Sequence, residues 1–162
     1  MYISPPDRPE HMYRRGRAVQ PEFSPWELLY FRYGVDEFVD GALAPAAIHL
    51  PQSVNRGEFS QPADVLFHPE GKYNGLGVVE FRVEEIPPTS EPGAGIPCKF
   101  FMKHLPEEDN YSHSEIWADQ VPETGRFWKP GRTARAAFRI KLCRRIRAER
   151  IKIQAVKNKD QV

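Results

Sequence analysis

The sixteen prolines among the 162 residues constrain the fold of this chain more than any other feature of its sequence. That share is about twice the usual proline content of a globular domain. Each proline fixes φ and removes a backbone donor, so long helices and central strands are expected only between prolines. Residues 74–86 and 131–162 are two long stretches without proline, and they are where we first expect regular structure.

The length and composition indicate one globular domain. Residues 1–22 are rich in proline and arginine and predict an irregular arm, residues 23–156 the domain, and residues 157–162 a frayed tail. No segment approaches the ~20 apolar residues of a membrane span, and the N-terminus lacks the apolar core of a signal peptide. We therefore expect a cytoplasmic protein. Two cysteines are too few for a disulfide framework or a zinc quartet, so we expect buried, reduced thiols.

Two strands are predicted near residues 76–86 and 98–105. In the first, Val79, Phe81 and Val83 alternate with charged residues, which is typical of a strand with one buried and one solvated face. The second is the apolar run "CKFFMKHLP". Antiparallel pairing of these two strands is the simplest arrangement across the loop that joins them.

The C-terminal region predicts a helix followed by an edge strand. Thr133 is an acceptable N-cap, and an apolar stripe recurs along one helix face at Ala134, Phe138, Leu142 and Ile146. After the helix, Ile151, Ile153 and Ala155 alternate with Lys152, Gln154 and Val156, which suits a terminal edge strand. The expected fold class is α+β, with a small antiparallel sheet packed against a basic C-terminal helix and an irregular, proline-rich N-terminal arm.

Shorter elements are predicted from their capping and turn residues. In "SPWELLYFRYG", Ser24 can act as N-cap, Pro25 suits the first helical position and Glu27 completes a capping box, so we favour a helix over the competing strand interpretation. Asp40-Gly41 predicts a strand–turn–strand unit. Ser60 could cap a single helical turn over residues 62–66.

The segment "EEDNYSHSEIWAD", residues 107–119, concentrates reactive side chains. We favour an ordinary helix start, with Ser112 as N-cap and Glu115 at the third helical position. As a strand, the same segment would place His113 and Glu115 on one face, where a carboxylate can orient an imidazole for proton transfer. The strand interpretation therefore carries the hypothesis of an active site.

No metal or cofactor site is predicted. The five histidines form no close pair, and His104, His113 and Glu115 would make a ligand set only if the segments that flank them met. The segment "PEGKYNGLG" matches neither a P-loop nor a dinucleotide fingerprint. No cofactor can be named from the sequence.

An arginine, a serine and a glutamate follow one another along the chain as Arg32 in "YFRYG", Ser53 in "QSVNR" and Glu115 in "HSEIW". This triple resembles that of ADP-ribosyltransferases, which have an arginine on an early strand, a serine on a middle strand and a glutamate on a later strand. Asn55-Arg56 stands where the family typically has Thr-Ser after the serine, and a helical Arg32 would not fit. The resemblance implies an enzyme that acts on a nucleotide, with Arg32, Ser53 and Glu115 in its site. Together with the strand hypothesis for His113 and Glu115, it makes Glu115, His113, Arg32 and Ser53 the candidate catalytic residues of an enzyme for a nucleotide or small anionic substrate.

Charge is distributed unevenly along the chain. From Lys129 onward twelve basic and two acidic residues give +10, and the preceding 128 residues carry −9. The basic segment either binds a polyanion or pairs with the acidic body. Our first hypothesis is an intracellular binding protein that contacts nucleic acid or an acidic protein partner. The residues we expect to make the contact are Arg132, Arg135, Arg139, Lys141, Arg144, Arg145 and Arg147. An enzyme and a structural subunit of a larger assembly are the alternatives.

Overall fold

The computed structural model describes residues 13–14, 17–18, 22–93, 95–120 and 129–157. Its strands are β1 (Tyr13–Arg14), β2 (Arg17–Ala18), β3 (Leu28–Tyr33), β4 (Phe38–Val39), β5 (Ala42–Leu43), β6 (Gln52–Arg56), β7 (Gly77–Arg82), β8 (Cys98–His104), β9 (His113–Gln120) and β10 (Ile151–Ile153). Its α-helices are α1 (Pro62–Val65) and α2 (Arg132–Cys143). Within the predicted arm, β1 and β2 pair antiparallel. Most of the rest of that arm, and residues 158–162 of the predicted tail, lie outside the described residues.

Six strands form one antiparallel sheet in the order β10-β7-β3-β6-β9-β8. Alternating side chains therefore divide into two sets, one for each face of the sheet. The sheet and the C-terminal helix confirm the predicted α+β class. β10 lies at the edge of the sheet, as the alternation of residues 151–156 predicted.

The first face, which we call the helix side, packs against α2. Leu29, Phe31, Phe81 and Ile116 are buried there in one cluster with Phe138 of the helix. The rings of Phe138 and Phe100 lie 4.3 Å apart between their centroids. Each apolar side chain buried in this way contributes roughly 1.5–3 kcal/mol to stability, so this layer is the main core.

The opposite face, which we call the cleft side, is covered only in part among the described residues. Tyr30 of β3 and Val78 of β7 pack against Val65 of α1 in a second, smaller cluster. Farther across the sheet, the side chains on this face are mostly polar. The cleft described below lies where the covered part meets the polar part.

The two predicted strands exist, but their predicted pairing is wrong. β7 pairs with β3 and β10, while β8 pairs with β9. Three strands separate β7 from β8 in the sheet. The sequence patterns locate strands by their faces, whereas pairing depends on long-range partners that no local pattern encodes. The face of β7 opposite Val79 and Phe81 is also covered in part: Val78 is buried there against Val65 of α1.

The predicted N-terminal helix is wrong as well. Residues 28–33 form β3, whose aromatic and apolar side chains suit a strand that is covered on both faces. Glu27 does not complete a capping box. Its carboxylate instead receives two hydrogen bonds from the Arg56 guanidinium, at 2.8 and 2.7 Å.

Arg56 fastens the segment before β3 to the sheet. Its side chain is fully buried and pairs with Glu27, whose side chain is 5% exposed. It also donates to the carbonyl of Glu22 at 2.7 Å, and its guanidinium lies 3.9 Å from the ring centroid of Phe23. Removing one partner of such a buried pair typically costs about 3–5 kcal/mol, because the other charge is left uncompensated.

The shorter predictions have mixed outcomes. Asp40 and Gly41 have positive φ values of 53° and 78° in the turn between β4 and β5, which confirms that turn. α1 begins at Pro62, with Gln61 and not Ser60 as its N-cap. The Ser60 hydroxyl instead donates to the Arg56 carbonyl at 2.7 Å.

α2 confirms the predicted C-terminal helix, although it begins one residue before the predicted cap. Its N-cap is Gly131, and not Thr133. The predicted apolar stripe is buried at Ala134, Phe138 and Leu142 within the helix, and Ile146 is buried just beyond it. Among the described residues, no helix is both long and apolar enough to cross a membrane.

Both cysteines are free and buried. Burial raises the pKa of the Cys143 thiol to about 12 and also raises that of Cys98. The thiolate is the reactive form of cysteine, so neither residue has the character of a nucleophile.

A buried histidine makes the stability of the fold depend on pH. His104 of β8 is 4% exposed, and its ring contacts the rings of Phe23, Phe59 and Tyr111. Its Nδ1 lies 3.3 Å from the Ser114 hydroxyl, whereas its Nε2 is buried without a hydrogen-bond partner among the described residues. Burial, followed by the charges of Arg56 and His113, lowers the pKa of His104 to about 4.

We predict that the contribution of His104 to stability is lost as the pH falls from about 6.5 towards 4. As the pH falls, the unfolded chain binds the proton first, because its histidine has the higher pKa. This preference lowers the free energy of unfolding by about 2–3 kcal/mol at pH 4.5. Urea unfolding of the native protein and of His104→Phe at pH 7 and pH 4.5 measures it. The native protein should lose more stability than the variant between the two pH values, and equal losses would contradict the assignment.

Candidate active site

A cleft of about 610 Å³ lies on the cleft side of the sheet. Its floor takes one residue from each of three neighbouring strands: Arg32 from β3, Ser53 from β6 and His113 from β9. Its walls are the segment that includes and follows α1 and the loop between β8 and β9. The lining residues on these walls are Asp64, Val65, Phe67, His68, Pro69, Glu70, Lys72, Tyr73, Glu107, Asp109 and Asn110.

Strand register brings the floor residues together. Tyr30 of β3 lies opposite Asn55 of β6, and Asn55 lies opposite His113 of β9. Because side chains two positions apart share a face, Arg32 and Ser53 follow on the same face as that row. Three residues separated by up to 81 positions in the chain are thus neighbours.

Residues 113–120 form a strand, so the predicted helix start at Ser112 is wrong and the strand interpretation is correct. The buried residues Ser114, Ile116 and Ala118 point to the helix side, and His113 and Glu115 point to the cleft side. The segment forms a strand despite its capping pattern, because its backbone then hydrogen-bonds to an antiparallel partner on each edge, β6 and β8.

Three of the four predicted catalytic residues line the cleft, and the fourth does not. Glu115 lies opposite Ser53 in the register, beyond the edge of the cleft lining. Its carboxylate accepts a hydrogen bond from the Trp117 indole at 3.2 Å. The structure therefore places Arg32, Ser53 and His113 together, with Glu115 on the adjacent part of the same face.

Hydrogen bonding fixes the tautomer of His113. Its Nδ1 lies 2.7 Å from the carbonyl oxygen of Leu105. A carbonyl oxygen can only accept, so Nδ1 must carry the proton. In the neutral ring, the lone pair is then on Nε2, the nitrogen that approaches Ser53 and Glu107.

The protonation state of His113 selects the partner of Nε2. The Ser53 hydroxyl lies 3.3 Å away and can donate to the lone pair of the neutral ring. The Glu107 carboxylate lies 3.0 Å away and can only accept, so it binds the protonated ring. This arrangement lets His113 take a proton from a hydroxyl and stabilises the resulting imidazolium.

Arg32 supplies a positive charge at the floor. Its guanidinium donates to the Val65 carbonyl at 2.8 Å and lies 3.9 Å from the ring centroid of Tyr73. Burial lowers the pKa of Arg32, while Tyr73 and the Glu107 carboxylate act in the opposite direction. An arginine stays charged despite such a shift, and its planar donors suit carboxylate and phosphate oxygens.

The loop between β8 and β9 carries both the Leu105 carbonyl and Glu107. It is fastened to β6 through Asn110, which donates from Nδ2 to Oδ1 of Asn55 at 2.6 Å. Asn55 is 2% exposed. Glu107 and Asn110 also exchange two backbone hydrogen bonds, at 3.0 and 3.1 Å. The Asn55–Asn110 contact thus links the part of the loop that carries Glu107 to β6.

Sequence reasoning missed the residues that support the floor. Glu107 falls within the predicted helix start, Asn110 and Tyr73 belong to no predicted site, and Asn55 enters only as a departure from the ADP-ribosyltransferase pattern. Their signal is spatial: each lies beside Arg32 or His113 only after the sheet and its loops have formed. The abundance of polar residues in positions 107–115 was the one local indication.

The predicted basic residues of the C-terminal segment lie on or just after α2. Lys141 pairs with Glu91 at 3.0 Å, and Arg145 donates to the Glu85 carbonyl. No ion pair within the described part of the chain involves the other five: Arg132, Arg135, Arg139, Arg144 and Arg147. The Nε atoms of Arg135 and Arg139 are buried without a hydrogen-bond partner there.

Neither a group of metal ligands among the described residues nor a similar protein indicates the function of this site. Within the described ranges, no three His, Cys, Asp or Glu side chains are grouped so that they could hold a metal ion. A scan against family models, a search of curated proteins and a search of solved structures each found no match. The chemistry of the cleft residues is thus the basis for a functional proposal.

We predict that Asn110→Ala loosens the loop that carries Glu107. The variant removes two hydrogen bonds of the Asn110 side chain, the one it donates to Asn55 Oδ1 and the one it accepts from the Ser112 hydroxyl, each worth about 0.5–1.5 kcal/mol. Hydrogen exchange at the amides of Glu107 and Asn110 should therefore quicken by about tenfold or more. Glu108→Ala, an exposed residue of the same loop, is the matched control and should leave exchange unchanged. Equal protection in both variants would contradict the role of the Asn55–Asn110 contact.

Proposed function

We propose that this protein is an enzyme that acts on a small substrate bearing an anionic group, in the cleft floored by Arg32, Ser53 and His113. One observation carries the proposal: Nδ1 of His113 is engaged by a backbone carbonyl, while Nε2 is directed at both a hydroxyl and a carboxylate. A purely structural histidine needs no such choice of partners. General acid–base catalysis does.

His113 would act first as a base. Its Nε2 accepts a proton from a hydroxyl, either that of Ser53 or that of a substrate or water in the same position. The imidazolium that forms then donates to the Glu107 carboxylate, which stabilises it. The same proton can return to a leaving group, so that one residue serves both halves of a hydrolytic or transfer reaction.

Arg32 would bind the anionic group of the substrate. The charges on the cleft walls limit the charge that the rest of the substrate can carry. Asp64 accepts a hydrogen bond from the Gln61 amide and Glu107 faces His113, which leaves Glu70 and Asp109 exposed at the rim. A compact anion, such as a phosphate, attached to a neutral or cationic ring fits this pattern better than a polyanion does.

The resemblance to ADP-ribosyltransferases supports a nucleotide as the substrate. Arg32, Ser53 and Glu115 lie on three neighbouring strands in the order the resemblance requires, and Arg32 is not helical. In that version Glu115 would be the essential carboxylate. In the acid–base version His113 is essential, and Glu115 is secondary because its carboxylate is bonded to the Trp117 indole.

We predict that substitution of Arg32 weakens substrate binding, whereas substitution of His113 slows turnover. The test screens NAD⁺, mononucleotides and inorganic pyrophosphate by calorimetric binding and by NMR detection of products. For a compound that is turned over, His113→Gln should lower kcat by about 10²–10⁴-fold. Arg32→Gln should act mainly through a higher Kd.

Glu115→Gln is the matched variant on the same face of the sheet and should lower kcat by less than tenfold in the acid–base version. A larger loss in Glu115→Gln than in His113→Gln would transfer the proposal to the ADP-ribosyltransferase-like version. Unchanged turnover in both variants, or unchanged binding in Arg32→Gln, would contradict an active site in this cleft.

A second function, binding of a polyanion by the region of α2, is favoured by a different observation. Five arginines between residues 132 and 147 have no ion pair among the described residues, although the body of the chain is acidic. Arginine grips phosphate oxygens in pairs, and each neutralised phosphate releases counterions. We therefore retain nucleic acid as the proposed partner of this surface, with an acidic protein as the alternative.

We predict a steep salt dependence for this binding. The affinity for duplex and single-stranded oligonucleotides should fall between 50 and 200 mM salt, and the Arg132→Gln, Arg139→Gln, Arg144→Gln triple variant should reduce the salt slope by about two to three. Lys72→Gln, on the opposite side of the sheet, removes one positive charge away from this surface; it is the control and should leave the salt slope unchanged. No binding of either oligonucleotide at 50 mM salt would eliminate nucleic acid as the partner.

Two further expectations from the sequence stay predictions. One is a cytoplasmic location, which the proposed nucleotide substrate would suit. The other is a role as a structural subunit of an assembly, which sedimentation of the protein alone and with candidate partners would test.

A further inference from the structure

Trp26 is exposed to solvent although its backbone is hydrogen-bonded to the rest of the fold. The residue is 67% exposed, the largest exposure among the large apolar residues described. The backbone around it is nevertheless fixed to the sheet. The carbonyl of Pro25 accepts from the Glu84 amide at 2.8 Å, and that of Trp26 accepts from the Arg82 guanidinium at 2.8 Å. An indole that projects from a fixed backbone is prepared for contact at little entropic cost.

A second cleft, of about 570 Å³, lies beside this indole, and we call it the Trp26 cleft. Its lining residues are Glu22, Ser24, Trp26, Glu27, Leu28, Gly57, Glu58 and Arg82. Three carboxylates and one guanidinium give this lining a net charge of −2.

The carboxylates of Glu22 and Glu58 are the part of the cleft open to a ligand. Arg82 donates to the Trp26 carbonyl, and Glu27 is occupied by Arg56. The Glu58 side chain is 57% exposed. Its contact with the same Arg56 is long, at 3.4 Å between Oε2 and the guanidinium nitrogen. Glu22 is exposed as well.

We propose that the Trp26 cleft docks an arginine or lysine side chain of another protein. The face of an indole attracts a cation, and neighbouring carboxylates complete its hydrogen bonds. Tryptophan is also enriched among the residues that contribute most to protein interfaces. A lipid surface would suit the indole alone, but the carboxylates of Glu22 and Glu58 would oppose its approach. The proposal is independent of the function proposed for the other cleft.

The test uses the full chain and a capped Gly-Arg-Arg-Gly peptide, with Gly-Gln-Gln-Gly as the neutral control. The indole Nε1–H resonance of Trp26, identified by its absence in Trp26→Phe, should move with the arginine peptide and not with the glutamine peptide. Trp26→Ala should raise the Kd by about tenfold or more. The double variant Glu22→Gln, Glu58→Gln should raise it as well and reduce its dependence on salt.

Val39→Ala, an exposed apolar residue elsewhere, is the control for Trp26→Ala and should leave the Kd unchanged. Phosphatidylcholine vesicles form the second arm of the experiment. An indole resonance that moves with vesicles and not with the arginine peptide would overturn the proposal. Equal shifts with both peptides, or an unaltered Kd in Trp26→Ala, would overturn it too.

Discussion

The antiparallel register of β3, β6 and β9 is the constraint on which the rest of the molecule depends. A slip by one residue between two strands would move every side chain of one strand to the other face. Leu29 and Val54 would then leave the core, while Arg32 and Ser53 would enter it. The core thus enforces the register, because a slipped strand would bury polar side chains without hydrogen-bond partners, and this costs free energy. The cleft is a consequence of the same packing that stabilises the fold.

The two faces of this sheet separate two kinds of chemistry. The helix side carries the apolar core and, beyond it, the arginines on and after α2. The cleft side carries Arg32, Ser53 and His113, with the partners that the β8–β9 loop brings to His113. The two proposed functions therefore use different surfaces, and the loss of one would leave the other intact. The Trp26 cleft is a third surface, formed largely by the segment that Arg56 fastens to the sheet.

The sequence predicts elements where local and global preferences agree. α2 is predicted well, because its apolar stripe at Phe138 and Leu142 also forms the contact with the sheet. The Asp40-Gly41 turn is predicted because its φ values are a local demand of the backbone. By contrast, Ser24 and Ser112 both begin good capping sequences, yet strands follow them. At both places neighbouring strands supply hydrogen bonds that outweigh the cap, and such partners are distant in the sequence.

The site was predictable in its residues and not in its connections. The chemistry of Arg32, Ser53 and His113 is visible in the sequence, and the structure brings these residues into one cleft. The roles of Glu107 and the Leu105 carbonyl are not visible there, because they depend on how the loop folds back over β9. The measurement that tests this arrangement most directly is the ¹⁵N NMR spectrum of the His113 imidazole in the neutral state. We expect a protonated Nδ1 and an unprotonated Nε2, and a ring protonated at Nε2 alone would contradict the account.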